Sequence, residues 1–265
     1  MFRLKRLMQR TIRSAHLAFF RRPLPRKLSL YLHSLPSRQA EERFDELLSF
    51  LADQGYSFTG PAEFVAACGK AAFISFDDNY RSWLGALPIL RKRQCRATFY
   101  VNSLPFSDRA DVVQLRGYLD RLGVPDETTL STAQLRDIAD AGHIIGSHTH
   151  SHSVLTSLPP ASARYDIRIG KVELESLLQR PVRHFSYPYG MRRHFNEPLR
   201  RFCRSIGFAT IANAIPGMQY APVAPDSLHR SPWFLERPLA FNLDNLCIDS
   251  RAFHAATGRS AIGGG

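Results

Sequence analysis

Apolar runs short enough for buried strands alternate along this chain with segments of helical period. Residues 28–33 form the first such run. Residues 41–55 then place Phe44, Leu47, Leu48 and Leu51 on one helical face, with Gly55 as a stop. A second buried-strand run covers 71–76 and ends in two carboxylates, Asp77 and Asp78. Residues 82–93 read as a helix in spite of Pro88, and 97–102 as a strand rich in β-formers. A polar insertion over 103–130 follows, with Val112, Leu115, Leu119 and Leu122 spaced for one helix. Ser131 and Gln134 make a capping box for a helix over 131–141, which Gly142 closes. A strand over 143–147 runs straight into His148. Residues 162–178 form a long amphipathic helix, and a strand over 182–186 leads into Tyr187-Pro188-Tyr189-Gly190. A helix over 197–206, closed by Gly207, and a strand over 208–211 complete the series.

Alternation of this kind predicts parallel βαβ units in a barrel or a doubly wound sheet. The 265 residues are 44% hydrophobic and 22% charged, ordinary globular usage that excludes a wholly disordered, collagen-like or low-complexity chain. That length suits one α/β barrel as a single unit. No G-x-G-x-x-G or P-loop follows a strand, so nucleotide binding has no motif support. Cys68, Cys95, Cys203 and Cys247 show no C-x-x-C spacing. They read as lone buried thiols, with neither a cysteine zinc site nor a redox pair indicated.

Charge changes the picture at one end only. The net charge is +12, yet residues 1–40 hold ten Lys/Arg and no acid. The remaining 225 residues carry 25 basic and 23 acidic side chains, so the body is nearly neutral. A broad nucleic-acid-binding face on the folded part is therefore not expected. Leu4, Met8, Ile12, Ala15 and Phe19 recur at helical spacing, with Arg3, Arg6, Arg10 and Arg13 mostly on other faces. Residues 1–27 read as a basic amphipathic arm that lies on an anionic membrane surface. A helix docked on its own domain, a disordered arm and an Arg-rich transit peptide are the competing readings. No uncharged apolar run approaches the roughly 18 residues of a membrane span. The apolar stretch 15–20, interrupted by His16 and followed by Arg21-Arg22, makes no convincing secretory signal. The expected location is the cytoplasm, peripheral at the inner face of the membrane. The expected organisation is an arm over 1–27, a barrel over 28–257 and a flexible tail over 258–265.

Chemically loaded residues gather where predicted strands end, the face on which parallel barrels place their active sites. Asp77-Asp78, then His148 with His150 and His152, then the Tyr187–Gly190 turn stand at three such ends. His148 and His152 are four apart, so a helical turn or compact loop brings both rings to one side. Two imidazoles and a carboxylate make an open shell for a divalent metal. Zinc suits it, and iron, cobalt and nickel are alternatives. Neighbouring aspartates in a regular strand face opposite ways, so both reach one site only where the chain leaves the strand. A plain Asp-Asp-Asn turn and structural histidines are the competing readings.

These residues carry a resemblance. Phe76-Asp77-Asp78 after an apolar strand resembles the first motif of the polysaccharide deacetylases, the carbohydrate esterases with a NodB-homology domain. Ala97-Thr98-Phe99-Tyr100-Val101 is similar to the strand that follows it in that family. Gly142-His143-Ile144-Ile145-Gly146-Ser147-His148-Thr149-His150-Ser151-His152 resembles the second motif, and Phe185-Ser186-Tyr187-Pro188-Tyr189-Gly190 the third. The matches come in the family's order and span roughly residues 28–235.

The resemblance implies a distorted (β/α) barrel of about seven strands. It implies a metal-dependent hydrolase that removes acetyl groups from an N-acetylated sugar or polysaccharide. Asp78, His148 and His152 would hold the metal, Zn2+ or another divalent transition ion. Asp77 would be the base acting on a metal-bound water, and the Tyr189 backbone N–H an oxyanion donor. The expected partner is an acetylated carbohydrate, free or lipid-linked. Two positions depart from the family pattern. Asn79 stands where many members have Gly. Ser186-Tyr187-Pro188-Tyr189 stands where many have Arg-Pro-Pro-Tyr, so the arginine expected to orient the base is missing from that place. His229 is the candidate for the late histidine that acts as general acid, with His254 behind it. A non-catalytic glycan- or metal-binding protein on the same fold is one alternative; a nucleic-acid-associated protein acting through the arm is another.

Overall fold

A computed structural model of the chain describes residues 22–215 and 222–247. The amphipathic helix read between Leu4 and Phe19, His254 and the tail 258–265 lie outside the described residues.

The strands are β1 (Lys27–Leu32), β2 (Ser57–Phe58), β3 (Ala71–Asp78), β4 (Thr98–Val101), β5 (Ile144–Ser147), β6 (His184–Ser186), β7 (Thr210–Asn213), β8 (Leu228–His229) and β9 (Ser231–Pro232). All pair in parallel. From β3 to β7 they stand side by side in chain order, with β1 on the other flank of β3 and β2 added at its start. The two ends of this sheet meet in one segment. β8 pairs with β7, β9 pairs with β1, and only Arg230 lies between them. A single ribbon therefore serves as the last stave, and the sheet is a distorted barrel of seven staves with helices around it.

Parallel strands buried on both faces need near-continuous apolar sequence, and β3 is buried at every position. Its Phe76 ring stacks on Phe99 of β4 at 4.8 Å between centroids and meets Phe44 edge-on at 5.5 Å. Phe44, Leu47, Leu48 and Leu51 form the buried face of the helix Arg38–Asp53, as the period predicts. Ser37 caps that helix by accepting the Ala40 N–H. Pro88 is accommodated because Arg81–Gly85 winds as a 3-10 turn and the α-helix proper starts only at Ala86. The proline thus falls in the first helical turn, where its missing N–H forfeits no helical bond.

Other elements differ from the periodic reading. The helix Val112–Leu122 forms behind an Asp111/Gln114 capping box, but its buried face is Tyr118 and Leu119, while Val112 is 77% exposed. Cys95, Cys203 and Cys247 are buried, whereas Cys68 is exposed. The helices Pro61–Ala66 and Leu239–Cys247 and the two-residue strands β2, β8 and β9 were not read from the sequence; the shortest of these carry no measurable period. Among the described residues no helix is long and apolar enough to cross a membrane.

Candidate active site at the barrel mouth

β5 ends at Ser147, and the chain turns at once through the histidine motif. Two neighbours pin that turn. Just past β4, the Asn102 side-chain amide donates to the His148 carbonyl and, at 3.4 Å, to Thr149 Oγ1, while Tyr118 Oη donates to Asn102 Oδ1 at 3.0 Å. From the helix Pro160–Leu178, the Asp166 carbonyl accepts the His150 N–H and its carboxylate accepts the Ser151 N–H, each at 3.1 Å. Gly170 lets that helix approach: a Cβ there would stand 2.6 Å from the Thr149 carbonyl carbon. Thr149 and His152 accordingly hold φ of 71° and 59°, and Thr149 Oγ1 accepts the His152 N–H at 3.1 Å.

The outcome separates the three histidines. The rings of His148 and His152 lie 5.1 Å apart. His150 is turned away, with Nδ1 at 2.9 Å from Glu173 Oε2 and 2.8 Å from Ser103 Oγ.

Asp78 is the last residue of β3, and its φ is +88°. That backbone reversal answers the problem of adjacent aspartates, because it lets Asp78 join Asp77 at the mouth instead of facing the opposite side. Asp78 Oδ1 lies 3.1 Å from His152 Nε2 and 3.6 Å from His148 Nε2. One donor atom from each of the three residues falls within 4.8 Å of the others, and all three residues are buried. The His148 Nδ1–H donates to the Ser186 carbonyl at 2.7 Å, which leaves Nε2 free to bind a ligand. Tyr80 Oη donates to Asp78 Oδ2 at 2.7 Å and so fixes which oxygen faces the rings. Burial holds His148 down at about 4, against the nearby acids, so its ring is neutral near pH 7. Burial opposes ionisation of Asp78, but His152, then His33 and His148, outweigh it and keep this carboxyl below the usual range. An ionised carboxylate and a neutral, oriented imidazole are what a divalent cation requires, so the donor set fits a metal.

Asp77 faces a different partner. Arg230 Nη1 reaches its Oδ1 at 2.6 Å and Nη2 its Oδ2 at 2.7 Å, a bidentate pair in the barrel interior. The other donors go to Ser75 Oγ at 2.9 Å, Ser186 Oγ at 2.6 Å and the Asn213 carbonyl at 3.0 Å, so all five guanidinium N–H groups are satisfied. The rings of Tyr31 and Tyr100 hold the guanidinium carbon at 5.1 and 5.0 Å. Gly146 makes room for this packing, since a Cβ there would stand 2.5 Å from the Tyr100 ring. Burial would raise the Asp77 carboxyl, but Arg230 and then His148 bring it below the ordinary carboxylate value. The arginine missing from the third motif thus has a counterpart. Ser186 occupies its place in sequence, and Arg230 delivers the guanidinium from the closing ribbon.

Sequence reasoning passed over Arg230 and fixed on its neighbour. His229 is half-buried, and its carbonyl accepts from Ser29 Oγ; the next residue, Arg230, reaches Asp77. His33 was also passed over. It follows β1 directly at the mouth, is exposed, and acts electrostatically on both Asp77 and Asp78. The rule that singled out three strand ends had a fourth instance here, because the run 28–33 itself ends in a histidine.

At the end of β6, Gly190 N–H donates to the Tyr187 carbonyl at 3.2 Å, with Pro188 second and Tyr189 third at φ +62°. That is a type II turn with a tyrosine where glycine is usual. Its flipped central peptide leaves the Tyr189 N–H with no acceptor among the described residues. The Tyr189 ring, 43% exposed, stands edge-on to His152 at 4.9 Å and to His194 at 5.4 Å. Asp78, Thr149, His152 and Tyr189 are four of the six non-glycine residues with positive φ among those described, so backbone strain is concentrated at this mouth.

Two imidazoles and a carboxylate thus stand beside a second, clamped carboxylate at the mouth of a parallel barrel, the face on which such barrels place their active sites. The polysaccharide deacetylase family model matches residues 65–211, more than half of the chain, and the protein belongs to that family of hydrolases acting on the amide bonds of acetylated sugars. Its relative YxkH from Bacillus subtilis (strain 168) is 23% identical over 226 residues, covering 80% of this chain and 74% of YxkH. The solved structure of IcaB from Ammonifex degensii superposes with a TM-score of 0.65 at 21% identity, covering 78% of this chain and 91% of IcaB. The Streptococcus pyogenes deacetylase PplD, solved in complex with acetate, superposes with a TM-score of 0.64 at 20% identity, over 84% of this chain and 97% of PplD.

Proposed function

We propose that the protein removes acetyl groups from an N-acetylated sugar or polysaccharide by metal-assisted hydrolysis at this mouth. One observation carries the reading: two adjacent carboxylates at the end of β3 are turned onto unlike partners, Asp78 onto two imidazoles and Asp77 onto a guanidinium. Asp78, His148 and His152 hold the metal, with zinc the ion best suited to two nitrogens and one oxygen. A divalent ion held by these three side chains would supply Lewis acidity for the acetyl carbonyl and for a water near neutral pH. Asp77 takes the proton of the attacking water, and Arg230 keeps it ionised and aimed. The Tyr189 N–H donates to the carbonyl oxygen as negative charge develops on it.

His33 gives the departing amine its proton. We assign it this role in place of His229, because it follows β1 directly at the mouth and acts on both acids. His229 precedes the arginine that fills the interior, and in an extended segment neighbours face opposite ways. His33→Gln should lower kcat by about a hundredfold to ten-thousandfold. His229→Gln should stay within about twofold; the reverse ranking would return the acid to His229.

The function itself is tested by acetate release from N-acetylated oligosaccharides. Release should stop with a chelator and resume with added zinc. Metal-loaded protein that binds these glycans and releases no acetate would instead be a glycan-binding relative of the enzymes.

Residues 1–27 attach the protein peripherally to an anionic membrane while the barrel stays in the cytoplasm, a placement suited to a lipid-linked substrate. Nine Lys/Arg and no acid in that segment support this. Each contributes on the order of 1 kcal/mol near an anionic surface. Full-length protein should sediment with anionic vesicles, less so as salt rises, and weakly with neutral ones. Binding that survives deletion of 1–27 would show that the arm is not the anchor.

A further inference from the structure

The loop that carries His152 is bracketed by arginines. On one flank, Arg121 Nη2 donates to the Ser151 carbonyl at 3.3 Å. On the other, the Arg193 carbonyl accepts from Thr156 Oγ1 at 2.7 Å, and Arg192 and Arg193 follow closely on the Tyr189 turn. The Tyr189 ring, touching both His152 and His194, ties this second flank to the metal-ligand set. All three arginines are exposed. None is in an ion pair among the described residues, and Arg193 Nε donates to His194 Nε2 at 3.1 Å beside the Tyr189 ring.

The acids nearest this loop are already engaged. Asp77 and Asp78 are turned inward, Glu173 binds His150 and Ser103, and Asp166 Oδ1 accepts from the Ser151 N–H while its Oδ2 is buried without a hydrogen-bond partner among the described residues. Nor does His194 extend the charge at neutral pH, since burial and Arg193 hold it below the usual imidazole value. The His152 side of the mouth therefore presents three exposed guanidinium groups with no ion-pair partner among the described residues, on a body that is nearly neutral. Guanidinium groups bind phosphate and carboxylate oxygens through paired hydrogen bonds, and neutral sugar hydroxyls gain nothing from their charge.

We infer that the preferred substrate is an acetylated sugar bearing an anionic group, a phosphate or a carboxylate, close to its acetamide, and that Arg121, Arg192 and Arg193 bind that group. This deepens the deacetylase reading and rests on it.

The test uses full-length, zinc-loaded protein and one N-acetylhexosamine disaccharide in three forms. One form is neutral, one carries a phosphodiester at its reducing end, and one has a uronic acid as the neighbouring sugar. At low ionic strength the KM for at least one charged form should be at least about tenfold below that of the neutral form. The advantage should shrink as salt rises and collapse in the variant R121Q/R192Q/R193Q, whose circular dichroism checks its fold. Which charged form gains more distinguishes phosphate from carboxylate. Equal KM values across the three forms, or a preference that survives in the triple variant, would overturn the inference. Binding of the three intact sugars to Asp77→Asn protein, read by calorimetry, separates the two readings. If no form releases acetate from the wild type, the deacetylase reading fails on its own. Tighter binding of a charged form would still support the arginine rim, and equal binding would refute it.

Discussion

Asp77→Asn is expected to cut acetate release by at least about a hundredfold, the scale on which a general base acts, while the metal remains bound. The amide keeps the shape of the side chain and removes the charge that accepts a proton. Metal content should behave in the opposite way at the neighbouring positions. His148→Ala, His152→Ala and Asp78→Asn each take one donor from a set whose donor atoms lie within 4.8 Å of one another, so stoichiometry should fall below one ion per chain. Elemental analysis of the four purified variants decides the matter. If Asp77→Asn loses the metal and Asp78→Asn retains it, the two aspartates exchange roles.

Arg230→Met should lower stability strongly. It removes the guanidinium paired with Asp77 and leaves a buried carboxylate without that partner, a change that costs about 3–5 kcal/mol. Urea unfolding should register that loss, and the double variant Arg230→Met/Asp77→Asn should recover part of it, because no unpaired charge then remains. The pH dependence has a definite sign. Asp77 is held below its ordinary value in the folded protein, so the pair stabilises above the unfolded carboxyl value and its contribution fades as pH falls through the folded one. In Arg230→Met the carboxyl rises, and the acid limb of kcat/KM should move to higher pH. An unmoved limb would mean that Arg230 does not set the state of Asp77.

The parts of this molecule legible in the sequence are those written by local rules. Helices with a clear apolar stripe, such as Arg38–Asp53, and the box of Ser131 and Gln134 follow from spacing alone. Asp77, Asp78, His148, His152 and Tyr189 stand out because each follows an apolar strand. Arg230 and His33 escaped for different reasons. Arg230 gains its meaning only when the barrel closes, since its partner is 153 positions away and two-residue strands flank it. His33 was visible, but one histidine after a strand carries little weight until the strand is known to border β3. The positive φ of Asp78 was equally out of reach: the residue type permits it, but only the packed turn demands it.

The closing ribbon also sets an order of events. Ser29 on β1 bonds to His229 across 200 positions of chain, and β7 waits for the same segment. A polypeptide growing from its N-terminus therefore carries six staves with two bare edges until residue 232 is available. Such edges invite pairing with other chains. Asp77 has no counter-charge during that interval. Pairing of Asp77 with Arg230 and closure of the wall are one late, non-local step, so a chain truncated before Leu228 should aggregate rather than persist as an inactive monomer.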